Sequence, residues 1–227
     1  MPSAGTRVYV EVGRKRTFAG ALDWPGWARS GRDEPAALEA LIAYAPRYAE
    51  VLRGTRLGFR APGDVGDVVV AERLEGDATT DFGAPGIPPA ADRAPLDAEG
   101  LGRSHAILES CWRAFDAGVE GATGRQRRKG PRGGGRELAA IVRHVLEADG
   151  AYLAKLARKP VMRDGLDVHA ELATTREAIV EALAAAVRGE IPERGPRGGV
   201  LWPPRYFVRR VAWHVLDHAW EIEDRTI

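Results

Sequence analysis

The chain has 227 residues, of which 44% are hydrophobic and 29% are charged, and its formal net charge is +1 at pH 7. This length allows one large domain or two small ones, and the composition is that of a globular protein. A charge so close to zero argues against nucleic acid or an anionic membrane as a partner. The single cysteine, Cys111, excludes an internal disulfide and a cysteine-based zinc site.

The first residues lack the charged-then-apolar pattern of a secretory signal, and no apolar run approaches the ~18 residues that a membrane span needs. These two features predict a cytoplasmic protein that does not associate with a membrane.

The N-terminal part, residues 1–74, is predicted to be a β-rich α+β module. Segments rich in β-branched and aromatic residues predict strands at Arg7–Val12, Thr17–Leu22, Arg56–Phe59 and Val65–Ala71. The first two, separated by a short turn, predict a hairpin. Asp33, Glu34 and Pro35 are typical of a helix start, and we expect that helix to run to about Leu52. Residues 75–95, rich in Gly, Pro, Ala and Asp, predict a linker.

The remainder of the chain, residues 96–227, has the apolar periodicity of amphipathic helices. We expect four of them, at about Leu96–Val119, Arg136–Arg158, Asp167–Arg188 and Arg205–Glu223. Four helices of this length favour a four-helix bundle. The predicted fold is therefore α+β, with a small N-terminal module followed by a helical bundle.

The last helix carries the most informative spacing in the chain. His214, His218 and Glu221 stand at i, i+4 and i+7 in RYFVRRVAWHVLDHAWEIEDR, so they lie within roughly 60° of one another on the helix. His144 lies at the edge of the apolar face of the second helix. Burying imidazoles beside a bundle core is costly unless they are satisfied, and a shared divalent ion would satisfy all three. The alternative is that each histidine hydrogen-bonds a neighbour in a partly wet cleft.

Two further side chains are candidates for acid–base chemistry. Glu221, one turn beyond His218, is a candidate general base or a residue that orients an imidazole. His105 lies ~20° from Trp112 on the first helix and so faces the bundle. It is a candidate acid or base towards a substrate, or else a histidine at the edge of the core that bonds a helix neighbour.

The connection between the first two helices, GATGRQRRKGPRGGGR, is basic and rich in glycine. Glycine amides and guanidinium groups near a helix start can bind a phosphate or a carboxylate, and Arg132 and Arg136 are the candidates for binding such a cofactor. The alternative is a solvated connection. Nucleic-acid binding is not expected here because the loop lacks interleaved aromatic residues.

The pattern of His144 followed by His214-x-x-x-His218, on the second and fourth helices, resembles the DinB-like (also YfiT-like) superfamily of metal-binding bundles. The segments PRGGGRELAAIVRHVLEADGAYLAKL and VAWHVLDHAWEIEDR carry the resemblance, which covers about residues 96–227. It implies a divalent ion, zinc, nickel or iron, held by the three histidines. It also implies relationship to thiol-dependent S-transferases and to hydrolases.

The segment VYVEVGRKRTFAGALDWPGWARSGRDEPAALEALIAY is similar, more weakly, to HicB-like antitoxin domains. The points of similarity are the Pro25-Gly26 turn, Gly31 and the helix that follows. This resemblance implies a compact α+β fold and, in that family, a small toxin partner.

These observations lead to two hypotheses. The first is a metal-dependent enzyme, a thiol S-transferase or a hydrolase, that acts on a small electrophilic substrate, with a low-molecular-weight thiol as co-substrate in the transferase case. The second is a non-enzymatic, antitoxin-like or scaffold protein whose histidines hold a structural ion or none. A homodimer is compatible with either hypothesis.

Overall fold

The computed structural model describes residues 5–129, 137–159, 167–196 and 198–227. The chain divides into two compact units, Met1–Ala94 and Pro95–Ile227. The first unit contains a β-sheet with short helices, and the second is built from long helices. The predicted mixed α+β fold is confirmed at this level.

The first unit is organised around a four-stranded sheet. Its strands are β1 (Thr6–Val12), β2 (Thr17–Ala21), β3 (Ala28–Gly31) and β4 (Val68–Glu75), in the order β3-β2-β1-β4. The predicted hairpin is confirmed, since β1 and β2 pair antiparallel with Val10 opposite Ala19. In contrast to this local pairing, β4 runs parallel to β1 and joins the sheet from far along the chain.

The helix predicted from Asp33 to Leu52 forms as two. The side chain of Asp33 caps α1 (Glu34–Ala43) by accepting a hydrogen bond from the amide of Ala36. The helix then breaks at Tyr44, and α2 (Ala45–Val51) follows. The break has a physical cause, because Pro46 has no amide proton to donate back to the preceding turn.

Two of the predicted strands need correction. Residues 56–59 form no strand; the ring of Phe59 instead packs edge-on against those of Trp24, Trp27 and Tyr48, with centroids 4.9, 5.3 and 5.0 Å away. The strand predicted at Val65–Ala71 begins with a 3₁₀ turn, Val65–Asp67, capped by Asp64, and only then becomes β4. The prediction also missed β3, which has four residues and no apolar alternation.

The segment predicted as a linker, 75–95, belongs to the first unit as far as residue 94. It contains a short helix, α3 (Ala78–Phe82). The side chain of Glu11, on β1, is fully buried beneath it. This carboxylate accepts hydrogen bonds from the Thr80 hydroxyl and from the amides of Gly86 and Ile87. Such charge-assisted bonds fix the segment onto the sheet.

The second unit contains the four predicted helices. They are α4 (Ala98–Ala122), α5 (Leu138–Leu153), α6 (Val168–Val187) and α7 (Pro204–Arg225). The helix predicted to run to Arg158 ends earlier, because α5 passes into a 3₁₀ turn, Ala154–Leu156, and Ala157 then adopts a left-handed conformation with φ of 56°. Arg136, the predicted start of that helix, lies outside the described residues.

The four helices pack against one another around an apolar core. The most extensive contact is between α4 and α7, while α5 packs against both α6 and α7. The apolar face of α7 is fully enclosed at Phe207, Val211 and Val215. This arrangement places α5 beside α7, the two helices that carry the candidate metal ligands.

Within the part of the chain that the structure describes, no helix combines the length and the apolar character needed to cross a membrane.

Candidate metal centre

Three histidines from two helices meet in the second unit. Among the described residues, His144 on α5 and His214 and His218 on α7 place one possible ligand atom each within 4.8 Å of the other two. The Nε2 atoms of His144 and His214 are 3.3 Å apart. The imidazole rings stand edge-on to one another, with centroids separated by 4.7 to 5.0 Å. The helical spacing on α7 therefore brings its two histidines to the same point as the histidine on α5.

The separation of two of these nitrogen atoms fits a shared divalent ion. Two imidazole nitrogens bound to one tetrahedral zinc ion at ~2.05 Å are about 3.3 Å apart, which is the separation of the His144 and His214 Nε2 atoms. A direct hydrogen bond between the two rings would also account for that single distance. It would not account for the third imidazole, His218, whose ring centroid is 5.0 Å from that of His144.

The third histidine, His218, is oriented by a carboxylate. Nδ1 of His218 lies 2.9 Å from Glu221 Oε2, and the other carboxylate oxygen, Oε1, accepts a hydrogen bond of 2.7 Å from Arg225 Nη1. The hydrogen bond with His218, together with that from Arg225, holds the pKa of Glu221 below its usual value although partial burial opposes this. An ionised Glu221 keeps the proton of His218 on Nδ1 and leaves Nε2 free for an ion. These contacts favour the orienting role predicted for Glu221 over that of a general base.

Replacing Glu221 with glutamine tests this orienting role. We expect the affinity for zinc to fall about 10- to 100-fold, as is usual when the group that hydrogen-bonds a ligating histidine is removed. Competition with a chelator of known affinity measures the change. Glu147→Gln, on α5, is a matched control that removes a carboxylate one turn from His144, and it should leave zinc affinity within a few-fold of the wild type. Equal affinities in wild type and Glu221→Gln would contradict the orienting role.

On the side away from Glu221, the cluster borders an aromatic and cationic group. The ring of Tyr152, on α5, stands edge-on to that of His214 at 5.9 Å. Its hydroxyl accepts a hydrogen bond of 3.2 Å from Arg210 Nη2. The guanidinium of Arg210 lies over the rings of Tyr152, Trp202 and Trp213. Polar groups therefore continue along the boundary of α5 and α7 on both sides of the histidines.

The other predicted site residues lie elsewhere or outside the described chain. His105, on α4, is not brought to the three histidines; its Nε2 is 3.4 Å from Glu109 Oε1, one turn along the same helix. Arg132 and Arg136, predicted to bind an anionic cofactor, fall outside the described residues. Cys111 is buried, and burial raises the pKa of its thiol, as expected for a cysteine that is not a nucleophile.

The beginning of the basic connection is described and is attached to the end of α7. The amide of Arg128 donates to the Arg225 carbonyl at 2.7 Å, and Arg225 Nε donates to the Arg128 carbonyl at 3.1 Å. Arg225 therefore links this connection to Glu221 and, through it, to His218.

Sequence reasoning missed Tyr152, Arg210 and Arg225 as parts of the site. Two of them could have been found from helical spacing, since Arg210 precedes His214 by four residues and Arg225 follows Glu221 by four. No spacing within α5 identifies Tyr152, and only the packing of α5 against α7 shows its position beside His214.

Searches against protein-family models, curated proteins and solved structures found no match to this chain. The resemblances to the DinB-like superfamily and to HicB-like domains stay predictions.

Proposed function

We propose that the second unit binds one divalent metal ion through His144, His214 and His218 and that the protein is a metal-dependent enzyme. The observation that carries the proposal is the convergence of three imidazoles from two helices, with ligand atoms within 4.8 Å of one another. The His218–Glu221–Arg225 chain supports it, because a carboxylate behind a histidine is the usual companion of a metal ligand.

A site with three protein ligands favours catalysis over a purely structural role. Structural zinc sites are usually closed by four protein ligands, whereas catalytic sites keep a position for water or substrate. No fourth His, Cys, Asp or Glu joins the cluster in the described ranges. Glu221, one turn beyond His218 on α7, is engaged by His218 and Arg225.

A divalent ion held there supplies Lewis acidity, which favours ionisation of a thiol or of water. The contribution of the chain is to hold the three imidazoles close together and to keep the site partly dry. His214 and His218 are 7% and 8% exposed, and low solvent access strengthens electrostatic interactions. We propose a thiol S-transferase or a hydrolase acting on a small electrophilic substrate, as the resemblance to the DinB-like superfamily suggests.

Binding of cobalt(II) tests whether the three histidines hold a metal ion and whether that ion has a free coordination position. The wild type should bind about one equivalent and give the intense visible absorption of a four- or five-coordinate site. Adding a small thiol such as 2-mercaptoethanol should produce a sulfur-to-cobalt charge-transfer band, because a coordination position is free for it. Cobalt binding with no response to thiols or to small anions would indicate a closed, structural site. No cobalt binding at all would contradict the proposed metal centre.

A further inference from the structure

Tyr152 lies on the more accessible side of the histidine cluster. Both α7 ligands, His214 and His218, are buried, whereas His144 and Tyr152, on α5, are only half-buried. Tyr152 follows His144 by two helical turns, and its ring meets that of His214 edge-on at an interplanar angle of 80°. A small molecule that reached the ion from the α5 side would therefore pass beside the Tyr152 side chain.

The hydroxyl of Tyr152 is oriented by a cation. It accepts a hydrogen bond from Arg210 Nη2, and Arg210 stands one turn before His214 on α7. A phenol that accepts such a bond still has its own proton to donate. The charge on the guanidinium polarises the O–H group and strengthens that donation, and a guanidinium cannot lose its proton in a protein. Arg210 is only 6% exposed, so its attraction for negative charge is weakly screened.

We propose that Tyr152 donates a hydrogen bond to an anionic ligand at the metal, a small carboxylate in particular, and that Arg210 is the residue that positions it. The inference rests on the proposed metal centre and adds a substrate class to it. Neutral imidazoles leave the full charge of a divalent ion uncompensated, and Arg210 adds a second positive charge nearby. Glu221, one turn beyond His218 on α7, bonds His218 and Arg225 on the side of the cluster away from Arg210. An anionic group of the substrate is therefore favoured beside Tyr152.

Acetate binding to the cobalt(II)-loaded protein tests this role with a simple probe. Acetate should change the visible spectrum of the wild type in a saturable way. In Tyr152→Phe, which keeps the ring and removes only the hydroxyl, acetate should bind about 10- to 100-fold more weakly, as for the loss of a hydrogen bond to a charged group. The affinity for cobalt itself should stay within a few-fold of the wild type, because the hydroxyl is not a ligand.

The positioning role of Arg210 is tested in the same titration. Arg210→Lys should retain part of the acetate affinity and Arg210→Gln should lose more of it, since only the first keeps the charge. Tyr44→Phe, in the other unit, is a matched control and should bind acetate as the wild type does. Cobalt binding with the same acetate affinity in wild type and Tyr152→Phe would overturn this inference alone. A wild type that binds no cobalt would overturn the proposed metal centre and this inference with it.

Discussion

Replacing His214 with alanine should lower the affinity of the protein for zinc by more than about 100-fold. This loss exceeds the one expected when only the carboxylate that orients a ligating histidine is removed. The same result is expected for His144→Ala and His218→Ala, because the three imidazoles contribute one nitrogen each to a single cluster. Calorimetric titration against a competing chelator measures the loss. Zinc should raise the thermal unfolding midpoint of the wild type and leave those of the three variants unchanged, since only the folded wild type gains binding energy.

The chain contains its own controls for this experiment. Of its five histidines, the two outside the cluster are His105, which bonds Glu109, and His169, at the exposed start of α6. His105→Ala and His169→Ala should bind zinc as the wild type does. Retention of full zinc affinity in His214→Ala, or an equal loss in His169→Ala, would show that the ion lies elsewhere.

The second large effect concerns Asp149, a buried carboxyl group on α5. Its side chain is 0% exposed, and neither carboxylate oxygen has a hydrogen-bond partner among the described residues. Burial raises the pKa of Asp149 to about 7, against a smaller opposing attraction from Arg176. In the unfolded chain the same group has a pKa of 3.8. The folded protein therefore binds more protons between these two values, and its stability falls as the pH rises through that window.

Asp149→Asn should remove this pH dependence, because the amide has a similar shape and does not ionise. As the pH rises from ~4 to ~8, the free energy of unfolding of the variant should increase by about 4 kcal/mol relative to that of the wild type. This is the value that linkage gives for a pKa difference of about three units between the folded and unfolded states. Urea unfolding followed by helical circular dichroism measures it, since the long helices belong to the second unit.

Asp116→Asn is the matched control for this measurement. Asp116 is bonded by the same Arg176, but its side chain is 52% exposed, so the pair contributes no more than ~1 kcal/mol at either pH. A difference between Asp149→Asn and the wild type that is equal at pH ~4 and pH ~8 would show that Asp149 ionises in the folded protein as it does in the unfolded chain.

The parts of the fold that the sequence predicted are those that depend on local pattern. The hairpin of β1 and β2 and the four long helices follow from alternation, helical periodicity and caps within each segment. The pairing of β4 with β1 depends on residues some sixty positions apart, from Thr6 with Val68 onwards, and no local signal predicts it. Phe59 was misread because an aromatic residue in a short apolar segment is typical of a strand, whereas this ring is placed by the cluster around Trp27.

The same distinction holds for the candidate site. His214, His218 and Glu221 share one helix, so their spacing alone predicts that they lie together. The position of His144 required the expectation that two helices pack side by side, and α5 does pack against α7. The contact of Tyr152 with His214 could not be predicted, because the relative shift of two packed helices depends on all the side chains between them.

The proposed metal centre is tested by elemental analysis of the purified protein after incubation with zinc, nickel or iron(II) and removal of unbound ions. We expect about one ion per chain in the wild type and none in His144→Ala, His214→Ala or His218→Ala. A wild type that retains no metal under any of these conditions would contradict the proposed metal centre, and the three histidines would then be a hydrogen-bonded cluster within the helical unit.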